Sequence, residues 1–100
     1  MTREIWKDIP GTNGLYQISN MGNVKSFVRK HGELLKPSQR AKQHKYLAVC
    51  IRIDGKRKMC TVHRLVAEAF VENPNGLPQV NHKNEDKTDN RAENLEWCNN

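Results

Sequence analysis

Apolar and polar positions alternate most clearly over residues 46–62, with Asp54-Gly55 near the middle. Asp-Gly is a preferred two-residue hairpin turn, because both positions must adopt positive φ. That turn predicts a register in which Ile53 faces Lys56, Val49 faces Cys60 and Leu47 faces Val62. One face then carries Leu47, Val49, Ile51, Cys60 and Val62 and is expected to be core. The other carries Ala48, Cys50, Arg52, Arg57, Met59 and Thr61. Cys50 and Cys60 fall on opposite faces, so no disulfide joins them. Past the hairpin the period changes. Leu65, Val66, Ala69 and Phe70 share one stripe at helical spacing, which predicts a short helix over 63–72. Arg64 and Glu68 are spaced for an i,i+4 pair, and Asn73-Pro74-Asn75-Gly76 stops the helix.

Shorter elements flank this centre. Residues 15–19 and 24–28 read as strands, with turns at Pro10-Gly11, Asn13-Gly14 and Asn20-Met21-Gly22-Asn23. Trp6 and Tyr16 are the expected anchors of this meander, since so small a core needs its few large side chains. Residues 29–45 read as a loop with one short strand near Leu34-Leu35; Pro37 argues against a central strand there. Residues 79–82 and 94–97 are β-prone, separated by a polar loop at 83–93. The fold class is therefore α+β: a small antiparallel sheet and hairpin part, then a short helix and a further strand pair. The expected division is 1–45 and 46–100.

Charge sharpens this picture. The 100 residues carry seventeen Lys+Arg against eleven Asp+Glu, a net +6. Residues 1–60 hold thirteen basic and four acidic side chains, net +9, while residues 61–100 hold four and seven, net −3. Lys25, Arg29, Lys30, Arg40, Lys42, Lys45, Arg52 and Arg57 lie in the basic stretch between positions 25 and 58. A charge run is often only a solvated face; an excess confined to one half favours a surface that follows phosphates. Such a surface supplies affinity and not sequence specificity. No apolar run approaches the roughly 20 residues of a membrane span. One hundred residues exclude architectures that need some 200 or more. Three scattered cysteines give no disulfide framework, which points to a reducing cytoplasm.

Candidate chemistry centres on four histidines. His31 and His44 lie in the basic loop and are expected to be exposed. His63 opens the helix, and His82 ends a strand before a loop rich in Asn and acids, where an imidazole could serve as a general base. Cys50, Cys60, His63, His82 and Cys98 lack the paired spacing of a zinc module. The acidic run at 84–90 lacks the turn glycine and distal Glu of an EF-hand.

The segments Val62-His63-Arg64-Leu65-Val66-Ala67-Glu68-Ala69-Phe70, Val80-Asn81-His82-Lys83, Asp89-Asn90-Arg91 and Glu93-Asn94-Leu95-Glu96-Trp97-Cys98 together resemble the HNH endonucleases of the phage and intron-homing type. The opening segment, from Glu4 through Tyr16-Gln17-Ile18-Ser19-Asn20-Met21-Gly22-Asn23 to Ser26, resembles the nuclease-associated modular (NUMOD-type) DNA-binding motif that commonly precedes them. The resemblance implies a ββα-metal finger on double-stranded DNA, with one divalent cation, Mg2+ or Mn2+, in a phage or bacterial host cell. It implies His82 as the general base and Asn81 as a metal ligand. Asn94 would be the central Asn that braces the finger and orients the His, and Asn90 a second bracing amide. His63 would be a support or a phosphate contact. No membrane and no protein partner are implied.

Two departures matter. Asn81 is neutral, and an amide oxygen is a weaker ligand for a hard cation than a carboxylate. The family places its closing metal ligand on a helix about six residues past the Trp, a position beyond Asn100, so the finger is expected to be incomplete within these residues. The rival to the nuclease is a non-catalytic DNA-binding protein, a truncated or degenerate relative.

Overall fold

A computed structural model describes residues 3–29, 31–39 and 46–99. Three small antiparallel sheets surround one helix. The first sheet runs in order β1 (Trp6–Asp8), β2 (Tyr16–Ser19), β3 (Val24–Ser26) and β4 (Glu33–Leu34). The second contains β5 (Ser38–Gln39), β6 (Leu47–Ile53) and β7 (Lys56–Thr61), with β6 in the centre. Helix α1 (Val62–Phe70) follows without a loop, and β8 (Gln79–His82) pairs with β9 (Leu95–Cys98).

The Asp-Gly turn forms as the sequence requires. Asp54 sits at φ 52° and Gly55 at φ 80°, and β6 and β7 pair with Ile53 opposite Lys56 and Val49 opposite Cys60. Cys50 faces Met59, so the two cysteines do lie on opposite faces. The expected Leu47–Val62 pair does not form. The ladder ends at Ala48–Thr61, and Val62, fully buried, is already the first helical residue. There it joins the core cluster with Val66, one helical turn on. Ala48 also departs from expectation, being buried rather than on the open face. It lies in the middle strand between Ser38 and Thr61, where a lone methyl is shielded from both sides.

Strands β1 and β5 are additions to the expected set. Strand β5 begins directly after Pro37 and occupies a sheet edge, the place where proline is tolerated. The helix is shorter than expected at its far end, stopping at Phe70 before the Asn-Pro turn. Its buried positions are Val62, Val66 and Ala67, while Leu65, Ala69 and Phe70 are only partly covered. The Arg64–Glu68 pair is present at 3.2 Å on the exposed side.

A single apolar cluster joins all parts. Ile9, Tyr16, Ile18 and Val24 come from the first sheet, and Val49 and Ile51 from the hairpin. Val62, Val66 and Ala67 come from α1, and Leu95 from β9. Tyr16 is thus an anchor, as expected; Trp6 is half-buried, with the Lys25 ammonium 4.1 Å from its ring centre. Helix α1 touches β2, β6, β7, β8 and β9, and so fixes where the last strand pair stands. Trp97 completes that docking by donating its indole N–H to the Val71 carbonyl at 3.0 Å. From the other side, Lys7 donates to the Ala69 carbonyl at 2.8 Å, a cation at the helix C-terminus where the dipole favours it.

Candidate active site

The β8–β9 pair places two neighbouring residues on opposite faces. His82, opposite Leu95, points inward and is 4% exposed; Asn81, opposite Glu96, points out. The loop between the strands holds no apolar core, so its shape depends on hydrogen bonds. Asn94, buried, is the hub: its amide donates to the Asp89 carbonyl at 2.8 Å and to Asn84 Oδ1 at 2.9 Å, and its oxygen accepts from the Asn84 N–H. Asn84 Oδ1 accepts from the Asp86 N–H, and Asp86 accepts from the Thr88 N–H and hydroxyl. Arg91 grips both oxygens of Asp89 at 2.8 Å and also reaches Glu93. That guanidinium, helped by the Asn84 amide, holds the Asp89 carboxyl down at about 2.

The loop delivers Asn90 to the histidine. Asn90 Oδ1 lies 2.7 Å from His82 Nε2, in a buried contact. An amide oxygen accepts only, so His82 Nε2 is the donor in this contact. The expected division of labour between the two amides is therefore different in the structure. Asn90 makes the bond to His82, and Asn94 spends its amide on the loop. The two lie four residues apart, and only the path of the loop decides which one reaches the ring.

His63 joins His82 from α1, with ring centres 5.0 Å apart, and Tyr46 stacks on His63 at 4.6 Å. Lys87 of the loop lies 5.0 Å from the centre of the Tyr46 ring. His63 Nδ1 is buried without a hydrogen-bond partner. Burial, with His82 and Arg64 adding to it, pushes His63 down to about 4 and keeps the ring neutral at pH 7. Tyr46 and Lys87 carried no sequence signal for this site. Tyr46 read only as a strand residue, and Lys87 as one charge of a polar loop.

A cation would meet oxygen donors at the outward face. Asn81 donates its amide N–H to Glu96 Oε1 at 3.0 Å, which leaves Asn81 Oδ1 for a ligand beside a carboxylate. Mg2+ characteristically takes one or two protein oxygens and keeps the rest of its shell for phosphate and water. The donor set suits such an ion, and Glu96 supplies nearby the negative charge that Asn81 lacks. Glu96 was not singled out by its sequence; the cross-strand register alone brings it to Asn81.

The basic candidates divide. Arg52 and Arg57 lie directly opposite each other on the outer face of the hairpin; Lys56 and Lys58, opposite Ile53 and Ile51, are also exposed but alternate to the other face. Arg29 is exposed, whereas Lys25 is half-covered between the rings of Trp6 and Phe27. Lys30, Arg40, Lys42 and Lys45 lie outside the described residues, as does His44; His31 is exposed.

Residues 4–52 match the NUMOD4 motif, and residues 60–100 match the HNH endonuclease family model HNH_3. Residues 60–100 are thus similar to the HNH endonucleases, with a NUMOD4 motif before them. The HNH segment contains His63, Asn81, His82, Asn90 and Asn94, and the NUMOD4 segment contains the first sheet and most of β6. An uncharacterized HNH endonuclease of Acanthamoeba polyphaga mimivirus is 46% identical over 94% of this chain and 23% of its own length. A second from the same virus is 40% identical over 86% of this chain and 25% of its length. The DNA endonuclease I-HmuI of Bacillus phage SP01 is 40% identical over 92% of this chain and 51% of its own. The chain thus spans about a quarter of the two viral relatives and about half of the phage one. In a solved structure described as DNA binding and cleavage by the HNH homing endonuclease I-HmuI, the match has a TM-score of 0.80 at 41% identity. It covers 95% of this chain and 52% of the other. Among the described residues no helix is long and apolar enough to cross a membrane.

Proposed function

We propose that this chain is the cleaving and DNA-contacting part of a metal-dependent endonuclease that hydrolyses phosphodiester bonds of double-stranded DNA. The observation that carries this reading is the buried 2.7 Å contact between Asn90 Oδ1 and His82 Nε2. It supports a reading in which Nε2 donates to Asn90 and Nδ1 is left to take a proton from water. Hydrolysis needs that proton removed from a water in line with the leaving oxygen. His82 does this, Asn90 holds the ring, and Asn94 holds the loop that carries Asn90. Asn81 Oδ1, beside the Glu96 carboxylate, would hold the cation. When bound, that ion offsets the negative charge that builds on the phosphate and the leaving oxygen. The exposed arginines and lysines of the β6–β7 hairpin follow the DNA backbone. Similarity to a DNA endonuclease over nearly the whole chain supports the choice of substrate.

The test is nicking of supercoiled plasmid with Mg2+, with Mn2+ and with EDTA. His82→Ala should lose cleavage by about 100- to 10,000-fold, the usual contribution of a general base, while binding DNA nearly as well as the parent. Equal loss of binding and cleavage in a folded variant would remove His82 from the role of base. DNA binding by the parent without metal-dependent nicking would favour the non-catalytic reading.

A further inference from the structure

The NUMOD4 segment touches the loop at 83–93 through the turn between β2 and β3. The turn at residues 19–23, between β2 and β3, is unusually well fixed. Ser19, fully buried, accepts from the N–H groups of Met21 and Asn23 with its hydroxyl oxygen and donates to Glu4 Oε2 at 2.8 Å. The Gly22 N–H donates to the Ser19 carbonyl at 3.1 Å. Asn20, also buried, accepts from the Ile5 N–H and donates to the Arg3 carbonyl. Every one of these bonds stiffens the turn.

The turn presses on the loop that carries Asn90. The Ala92 N–H donates to the Asn20 carbonyl at 2.8 Å. Gly22, at φ +88°, lies so close that a Cβ there would stand 3.1 Å from both Asn90 Cβ and Asn90 O, and 3.2 Å from Asn90 C. Asn90 is therefore clamped from behind by Gly22 and tied two residues later through Ala92. Its side chain meanwhile holds His82 at 2.7 Å.

We propose that the 19–23 turn is a positioning element for His82, acting through Asn90, with Gly22 as its point of contact. The NUMOD4 segment then does more than bring the nuclease to DNA: it sets the geometry of the general base. The coupling rests on the reading of His82 as base, yet it can be observed without cleavage.

The experiment compares three variants of the whole 100-residue chain. Gly22→Ala adds a Cβ against Asn90 and also carries the strain of positive φ. Gly22→Asn adds the same Cβ in a residue that tolerates the left-handed region. Gly14→Ala carries comparable strain at φ +76° in the same segment, with no atom within 4 Å of the new Cβ. Two readouts are followed: kcat against KM for plasmid nicking, and the His82 ring Nε2–H resonance in a nitrogen–proton correlation spectrum. Both Gly22 variants should shift or lose that resonance. They should lower kcat by about 10- to 100-fold, the scale of a small misplacement of a catalytic group, with KM little changed. Gly14→Ala should do neither. An unmoved resonance and kcat in a folded Gly22 variant would overturn the proposal. So would unfolding of both Gly22 variants while Gly14→Ala stays folded, because the contact would then serve folding alone. A parent that nicks nothing, with the resonance still shifted by Gly22→Asn, would sink the nuclease reading and leave the coupling standing.

Discussion

The finger loop at 83–93 and the outer face of the β6–β7 hairpin both carry exposed charges, yet they use them in opposite ways. The loop spends four of its charges on itself. Arg91 binds Asp89 and Glu93, Asp86 binds Thr88, and Asn84 and Asn94 bond each other. The hairpin spends none. Arg52 faces Arg57 across the strands, and neither they nor Lys56 and Lys58 form an ion pair with a described residue. Like charges placed directly opposite are unfavourable for the sheet. Charges consumed internally build a scaffold that holds a side chain still; like charges left facing each other across strands carry a cost to folding.

The largest effect that would break this contrast falls on the loop. Asn94→Ala removes three hydrogen bonds from a buried hub. The expected loss is about 3 kcal/mol of stability, taking about 1 kcal/mol for each bond, read from urea unfolding. Cleavage should fall with it, because Asn90 rides on the same loop. A neutral outcome would show that the loop is held by something other than its amides.

A pH series sharpens the role of the packed histidine behind the loop. His63 sits at about 4 in the folded chain, below its ordinary 6.5. The unfolded chain therefore takes up the proton first as pH falls. Stability is full above about 6.5, declines between about 6.5 and 4, and loses nothing further to this group below that. Asp89, held at about 2, acts only lower, from about 4 downward. Unfolding midpoints between pH 7 and 4.5 should fall in the parent and flatten in His63→Phe, which keeps an aromatic ring against Tyr46. An equal slope in both would place the acid sensitivity elsewhere.

The smallest effect on folding belongs to the hairpin. Arg52→Ala and Arg57→Ala should leave stability unchanged or slightly raised, because each relieves a like-charge pair. DNA affinity should fall, and the slope of log affinity against log salt should shrink by about 1 for each arginine that meets a phosphate. An unchanged slope would take this face out of the interface.

Reading the sequence went furthest where the information was local. Asp54-Gly55 and the alternation around it were enough for the β6–β7 register, because the turn permits one pairing. Helix α1 was visible from its stripe, although its first residue was not: Val62 fits a strand face or a helix start equally well, and burial beside Val66 decided. The motif around His82 was legible as a family pattern. Which amide meets His82 was not, since Asn90 and Asn94 are the same residue type four positions apart.

The chain by itself determined most of the elements (though not β1 or β5), the basic surplus of its first 60 residues and the identity of the groups available for chemistry. Those follow from turn chemistry, side-chain period and charge, which act over a few residues. The tertiary structure alone decided that Asn90 takes the histidine, that Glu96 stands beside Asn81, and that Gly22 backs Asn90 from 68 positions away. Such contacts depend on how three small sheets dock on one helix. A shared apolar core sets that docking, and its packing is a property of the whole chain rather than of any segment of it.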